Sequence, residues 1–335
     1  MIYYRVITLL FLSLSVSCSS VSSYKIINKE GFEEGQEIKE QSKFLVSSMA
    51  NASRKLHDIA WPIMISNLDS CQNSKINAFG LMIAHLEDIP SSLAPSFYAA
   101  SPINSLINSK ADLPMIVSVA KDSPADRAKI IEGDLIISIN NSIVSYKNYK
   151  RLLDDAAQKG SLKIRIKRLE EEITYELESE LICGYPVQAM ISPIPNAYAD
   201  GSKIYITIAT LDFVKDDQEI AFLIAHELAH NIHHYKGEAL YESQGNPLAI
   251  EEKPSLQKIT DLLIFQTEEK ETEADLYGVE FAIKAGIAQD KVANYFRRLT
   301  IYMPQLMKNS FFRMHPGNAK RVADIERKLK ELNSN

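Results

Sequence analysis

The stretch AFLIAHELAHNIHHYKG, Ala221 to Gly237, decides how this chain is read; it holds four of the seven histidines, His226, His230, His233 and His234. Its apolar lead-in predicts a helix set in a core, and Asp216 with Glu219 three residues on has the spacing of a capping box. On a helix, residues four apart share a face, so His226-Glu227-Leu228-Ala229-His230 can bring two imidazoles to one metal ion. Glu227, next to His226, can face the open position of that ion and take a proton from bound water.

A catalytic zinc takes three protein ligands and a water. A third histidine six residues past the second is one solution, but Lys236 stands there, and His233 occupies the place of the accompanying glycine. An acidic residue from a later helix is the other. The run EKETEADLYG, Glu269 to Gly278, puts Glu271 and Asp275 four apart on one face and Glu273 on another. Glu271 can ligate while Asp275 orients a ligand histidine from behind. The same run also reads as a solvated acidic stripe of Glu268, Glu269, Glu271 and Glu273. His233 and His234 read as bystanders at the end of the helix.

The 335 residues are 46% hydrophobic and 24% charged with a net charge of −6, which is globular and long enough for one large domain or two. There is no long basic run, so nucleic acid is not an expected partner. MIYYR followed by VITLLFLSLSVS is too short to span a bilayer and ends in small residues, as a secretory signal does. LSVSCSS resembles a bacterial lipoprotein signal, which implies lipidation of Cys18 and a membrane anchor there, although Ser15 stands where such signals carry an aliphatic residue. Ordinary cleavage near Ser17 to Ser20 is the alternative. Export implies an oxidising compartment, so Cys71 and Cys183 are expected as a disulfide, with two buried thiols as the other possibility.

The expected organisation is a signal over 1–17, a Ser-rich tether over 18–37, a helical segment over 38–73, a β-rich module over 74–181 and a mainly helical domain over 182–335. The helical segment is either one helix or two broken near Trp61-Pro62. The module shows short strands in AFGLMIAHL, PMIVSVA, DLIISIN, LKIRIKRL and EITYELES, with an amphipathic helix in YKNYKRLLDDAAQKG ending at Gly160. VSVAKDSPADRAKIIEGDLIISINN resembles the core of a bacterial PDZ domain, through Ser123-Pro124-Ala125 and Gly133-Asp134. Lys129 and Asn141 stand where such domains carry glycine, and a long insertion after the first strand falls where the peptide groove is expected. A later helix is expected from after Pro254 to Gly286. The segment 236–261 reads as a lid or as a long loop.

HELAH followed some forty residues later by ETEADLYG resembles the zinc metallopeptidase family of HtpX and the CAAX prenyl proteases, of gluzincin type. NAYADGSKIYITIATL and HPGNAKR resemble its edge strand and its late His-Pro segment. The resemblance implies an α+β protein in which a mainly helical, zincin-like metallopeptidase domain carries an inserted PDZ-like module, as in an exported bacterial subgroup. It implies one Zn2+ per chain on His226, His230 and Glu271, with Asp275 behind them and Glu227 as base. It places Asn196 and Ala197 at the substrate edge, with extended substrate along Ile204 to Ala209, and His315 and Arg321 beside substrate or oxyanion. Read without the family, His315 is a helix cap and Arg321 a surface residue. The implied function is cleavage of exported or misfolded polypeptides on the periplasmic side of an envelope membrane. The rivals are a non-catalytic PDZ-bearing lipoprotein adaptor or chaperone with a silent metal site, and an amidase acting on cell-wall peptides.

Overall fold

The computed structural model describes residues 30–72, 74–103, 112–235, 239–250, 267–302 and 319–334. It divides into two units, Met1–Glu40 and Gln41–Asn335, and every described element apart from the start of the first helix lies in the second. Helix α1, Glu30–Ser66, begins inside the stretch expected to be a tether and runs unbroken through Pro62. Proline forfeits one helical hydrogen bond. Trp61, Ile63 and Met64 beside it are buried in the core, and a break would expose them.

β1 (Lys75–Ala78) pairs antiparallel with β8 (Glu180–Cys183). Between them the chain builds a second sheet from β2 (Leu81–Ala84), β3 (Met115–Val119), β4 (Leu135–Ile139), β5 (Ser142–Ile143), β6 (Ser161–Arg168) and β7 (Glu171–Glu178). The order is β2-β3-β4-β6-β7, with β5 on β4. Helix α2 (Pro124–Arg127) starts where Ser123 accepts the Asp126 amide and Pro124 opens the first turn. Helix α3 (Tyr149–Lys159) ends at Gly160, which is left-handed at φ +77°. Leu153 and Ala156 of α3 join Phe79, Leu81, Ile136 and Ile164 in an apolar cluster of their own. The positions that lack the expected glycine keep a glycine-like backbone: Lys129 has φ +67° and Asn141 φ +64°. Asn141 follows Asn140, at φ +47°, in the β4–β5 turn, where asparagine is tolerated; for lysine the region costs about 1 kcal/mol.

A disulfide joins Cys71 to Cys183, with Cα atoms 5.6 Å apart, so the chain enters and leaves the β-rich module at one clamped point. Helix α1 braces the same module. Arg54 Nε donates to the Val117 carbonyl at 2.8 Å, and His57 Nδ1 lies 3.0 Å from Ser118 Oγ.

The remaining domain has a three-stranded sheet of β9 (Val187–Met190), β10 (Ala197–Ala199) and β11 (Ile204–Thr207), ordered β10-β11-β9. Helices α4 (Ile208–Phe213), α5 (Asp217–His233), α6 (Glu268–Lys284), α7 (Gln289–Val292), α8 (Asn294–Tyr302) and α9 (Ala319–Ser334) come after it. Asp216 caps α5 by accepting the Gln218 amide at 3.0 Å. Glu219 does not close the expected capping box, because Arg298 draws its carboxylate away at 2.7 Å. Within the span of the helix expected from Pro254, α6 opens at Glu268, where Thr267 is extended and its hydroxyl caps the first turn. The rest of that expected helix lies outside the described residues. The architecture is α+β, with a β-rich module ahead of a mainly helical domain.

The disulfide closes a loop of 112 residues. Replacing both cysteines by serine, or reducing the bond, is expected to lower stability by about 3–4 kcal/mol, read as a lower urea midpoint at similar slope.

Candidate metal centre

Helices α5 and α6 pack at very short range. A Cβ on Gly278 would stand 3.0 Å from His226 Cα and 3.2 Å from its amide nitrogen, so only glycine lets the α6 backbone lie against α5 at that histidine. From Gly278 one face of α6 runs back through Asp275 to Glu271.

That approach brings three donors together. His226 Nε2 and His230 Nε2 are 3.2 Å apart. Glu271 places one carboxylate oxygen 3.6 Å from His226 Nε2 and the other 3.4 Å from His230 Nε2. A tetrahedral zinc with ligand arms of about 2.0–2.1 Å needs donors about 3.3–3.4 Å apart. Two imidazole nitrogens and the Glu271 carboxylate, one ligand atom from each lying within 4.8 Å of the others, fit the donor set of a zinc site that would leave a fourth position for water. Glu227 follows His226 and is buried at 1% exposure.

Both imidazoles are held from behind. Asp275 Oδ1 lies 3.0 Å from His226 Nδ1. Asp275 in turn receives Arg321 through Nε at 2.7 Å and Nη2 at 2.6 Å. Arg321 Nη1 also reaches Glu271 at 3.1 Å, and the guanidinium lies over the Phe296 ring at 4.2 Å. On the other ligand, His234 Nδ1 is 2.8 Å from His230 Nδ1, and its Nε2 is 3.0 Å from Glu273 Oε2. Each of these two imidazoles therefore has a carboxylate behind it, one direct and one relayed through His234.

These contacts set the charge balance. Burial opposes protonation of His226, but its hydrogen bonds to Asp275 and Glu271 and the charges of Asp275 and Glu227 outweigh burial and push it up to about 9. Burial would raise Asp275, but Arg321 and His226 hold it below the usual carboxylate range. Burial lowers Arg321, and the carboxylates around it more than compensate.

Several sequence-based expectations change here. His234 is no bystander, since it orients His230; its i+4 spacing from His230 was the signal. Glu273, on a different face from Glu271, is the group that holds His234. His233 stacks on Tyr277 at 3.9 Å between centroids and lies aside. Arg321, expected near substrate, has its guanidinium taken up by Glu271 and Asp275, because two buried carboxylates need a cation. Substrate along Ile204 to Ala209 is also corrected: β11 is paired on both sides, and Ile208 and Ala209 open α4. The outer strand on the α5 side is β10, with Ala197 at its start. Asn196 precedes it and is tied into the sheet, its amide donating to Thr207 Oγ1 at 3.0 Å. Asn231 fixes the β10–β11 turn to α5, accepting the Gly201 amide at 2.7 Å and donating to the Lys203 carbonyl at 3.1 Å. His315 and Cys18 lie outside the described residues. A second cluster of His85, Glu87 and Asp112 is not a comparable site: His85 Nδ1 accepts the Glu87 amide at 3.2 Å and Nε2 meets Asp112 at 2.9 Å.

The fold and this centre define a metallopeptidase architecture joined to a β-rich module. The profile of peptidase family M48 matches residues 156–252 and 253–329, and the chain belongs to that family. A PDZ domain profile matches residues 115–168, over β3 to β6. Among solved structures, the chain is similar to the HtrA-type protease AlgW with decapeptide, at 20% identity over 32% of this chain and 30% of that one, with a TM-score of 0.25. It is also similar to the HtrA3 PDZ domain bound to a phage-derived ligand (FGRWV), at 20% identity over 33% of this chain and 92% of that one, with a TM-score of 0.25. Comparison with curated proteins returns no match.

Two outcomes are expected of the centre. His234→Ala, which frees the His230 ring, is expected to weaken zinc affinity by about 10–100-fold in a chelator competition, with the fold retained by circular dichroism. Because His226 stays protonated up to about pH 9 in the metal-free protein, zinc must displace that proton at lower pH. Apparent affinity is expected to rise with pH until about 9, with about one proton released per zinc near neutrality, read by calorimetry in buffers of differing ionisation enthalpy.

Proposed function

We propose that this chain is a zinc-dependent endopeptidase of a bacterial cell envelope, hydrolysing peptide bonds of exported or misfolded proteins, with its PDZ domain serving substrate recognition or regulation. The observation that carries the reading is the convergence of His226, His230 and Glu271 beside the buried carboxylate of Glu227. Membership of peptidase family M48 supports it. The disulfide and the apolar N-terminal run support export, and Cys18 is the proposed lipid anchor.

Zinc bound by the three donors would supply an acidified water and a polarised carbonyl. Glu227, buried next to His226, would be placed to hold a proton at the ion's open position and to pass it to a leaving amine. Asp275, and Glu273 through His234, keep the two imidazole rings aimed at the ion. An extended substrate pairs with the outer edge of β10 from Ala197 onward, using backbone hydrogen bonds that do not depend on its sequence. Tolerance of sequence suits a protease that meets unfolded chains. His315 is the proposed oxyanion donor, on the family resemblance alone.

An adaptor with a silent metal site has no use for a general base, so Glu227 discriminates the two readings. Glu227→Gln is expected to bind one zinc per chain as wild type does and to lose cleavage of denatured casein by about 10²–10⁴-fold. If wild type and variant both hold zinc and neither cleaves any unfolded protein, the endopeptidase reading fails and the adaptor stands.

A further inference from the structure

The PDZ sheet has β2 at one end of its order among the described strands. In such a module an extended peptide adds to the edge strand, and backbone amides capture its terminal carboxylate. In this chain a 3-10 turn of the peptidase domain, Glu242–Gln244, packs against both β2 and α3. Glu242 Oε1 accepts the amides of Gly80 at 2.6 Å and Leu81 at 3.2 Å. Gly80 is at φ +80°, and a Cβ there would stand 2.1 Å from Ser123 Cβ, so the amide pair is set by a position that admits only glycine. Ser243 Oγ donates to Asp154 of α3, and the Leu240 amide donates to the Gly184 carbonyl at 2.9 Å. Tyr241 packs against the PDZ core.

We propose that Glu242 is a built-in stand-in for a peptide C-terminus, and that the β2–α3 groove accepts an extended polypeptide with a free α-carboxylate only by displacing it. This deepens the regulatory role proposed for the PDZ domain and rests on that part of the reading, not on catalysis.

Three observations favour a peptide over the resident turn. Glu242 Oε2 is buried with no partner among the described residues, so the resident carboxylate is only half matched. Burial also pushes the Glu242 carboxyl up to about 7, against the backbone bonds that favour its charge. And a 3-10 turn makes no ladder with β2, whereas a true C-terminus brings its own strand. Phe79 and Leu81 flank Gly80, and Leu153 precedes Asp154, all in the buried apolar core of the module, so displacing the turn would uncover apolar surface that favours an apolar last residue. The far end of the groove is closed by the insertion after β2: Asp88 takes Tyr149 Oη at 2.5 Å and Lys150 Nζ at 2.8 Å. The edge that remains is the four residues of β2. The displaced segment comes after the end of α5, where His234 holds His230, so peptide capture loosens chain that leads directly out of the candidate metal centre.

The test uses the zinc-loaded full chain and a fluorescein-labelled hexapeptide ending in Ala-Val, as the free acid and as the C-terminal amide. Glu242→Ala is expected to bind the acid at least about tenfold more tightly than wild type does, and the amide at least about tenfold more weakly than the acid. In wild type, saturating acid peptide is expected to speed hydrogen exchange over 239–245. Equal affinities for wild type and variant, equal affinities for acid and amide, or no binding to either protein would overturn the proposal. Should Glu242→Ala unfold, wild-type exchange decides alone, and bound peptide without faster exchange at 239–245 overturns it. Loss of casein cleavage leaves these readouts untouched, so failure of the endopeptidase reading is told apart.

Discussion

The candidate metal centre depends on how closely α6 approaches α5 at Gly278. Any side chain there would push the helices apart and draw Glu271 away from the two histidines. Close approach alone would be unfavourable, because it buries Glu227, Glu271 and Asp275 together. Arg321, held flat over Phe296, and the His226 ring supply the compensating charge. Glycine thus sets the distance, and the guanidinium makes the resulting electrostatics tolerable. Removing only one member of such a buried set leaves an uncompensated charge, a loss of about 3–5 kcal/mol.

The junction between PDZ domain and peptidase is fastened by different chemistry on each side. The β1–β8 ribbon and the disulfide hold the chain where it enters and leaves. Helix α1 braces β3 and reaches the start of α5, where Lys55 pairs with Asp217 at 2.8 Å. These are fixed attachments between well-matched groups. The Glu242 contact is unlike them, since one of its oxygens is unmatched among the described residues and its segment adds no strand. It is the attachment that a competing carboxylate can replace.

What could be read from the sequence depends on the range of the interactions. His226 with His230, and Glu271 with Asp275, are helical i,i+4 pairs, and local periodicity shows them. The PDZ core was legible for the same reason, and Lys129 and Asn141 stand out because their backbone keeps the conformation of the expected glycines. The misreadings concern long-range partners. Glu219 has the spacing of a capping box, but Arg298, distant in sequence, takes it. Arg321 reads as a surface residue until α9 packs on α6. Ile204 to Thr207 reads as an available strand until β9 and β10 fill both its sides. Glu242 carries no local signature at all, because its partners are two backbone amides supplied by a turn in another domain.

The groups that build the centre come in the order His226, His230, Glu271, Asp275, Arg321 along the chain. Arg321, on the last helix, is therefore the last to be synthesised and, on the proposed export route, the last to cross a membrane. Before α9 docks, Glu271 and Asp275 have no guanidinium between them, and closing α6 on α5 would bury their charges against the His226 ring alone. A chain still being made, or threaded unfolded through a translocation channel, carries the ligand sequence without the site. On the proposed reading, that order would delay activity until the last of these groups is in place.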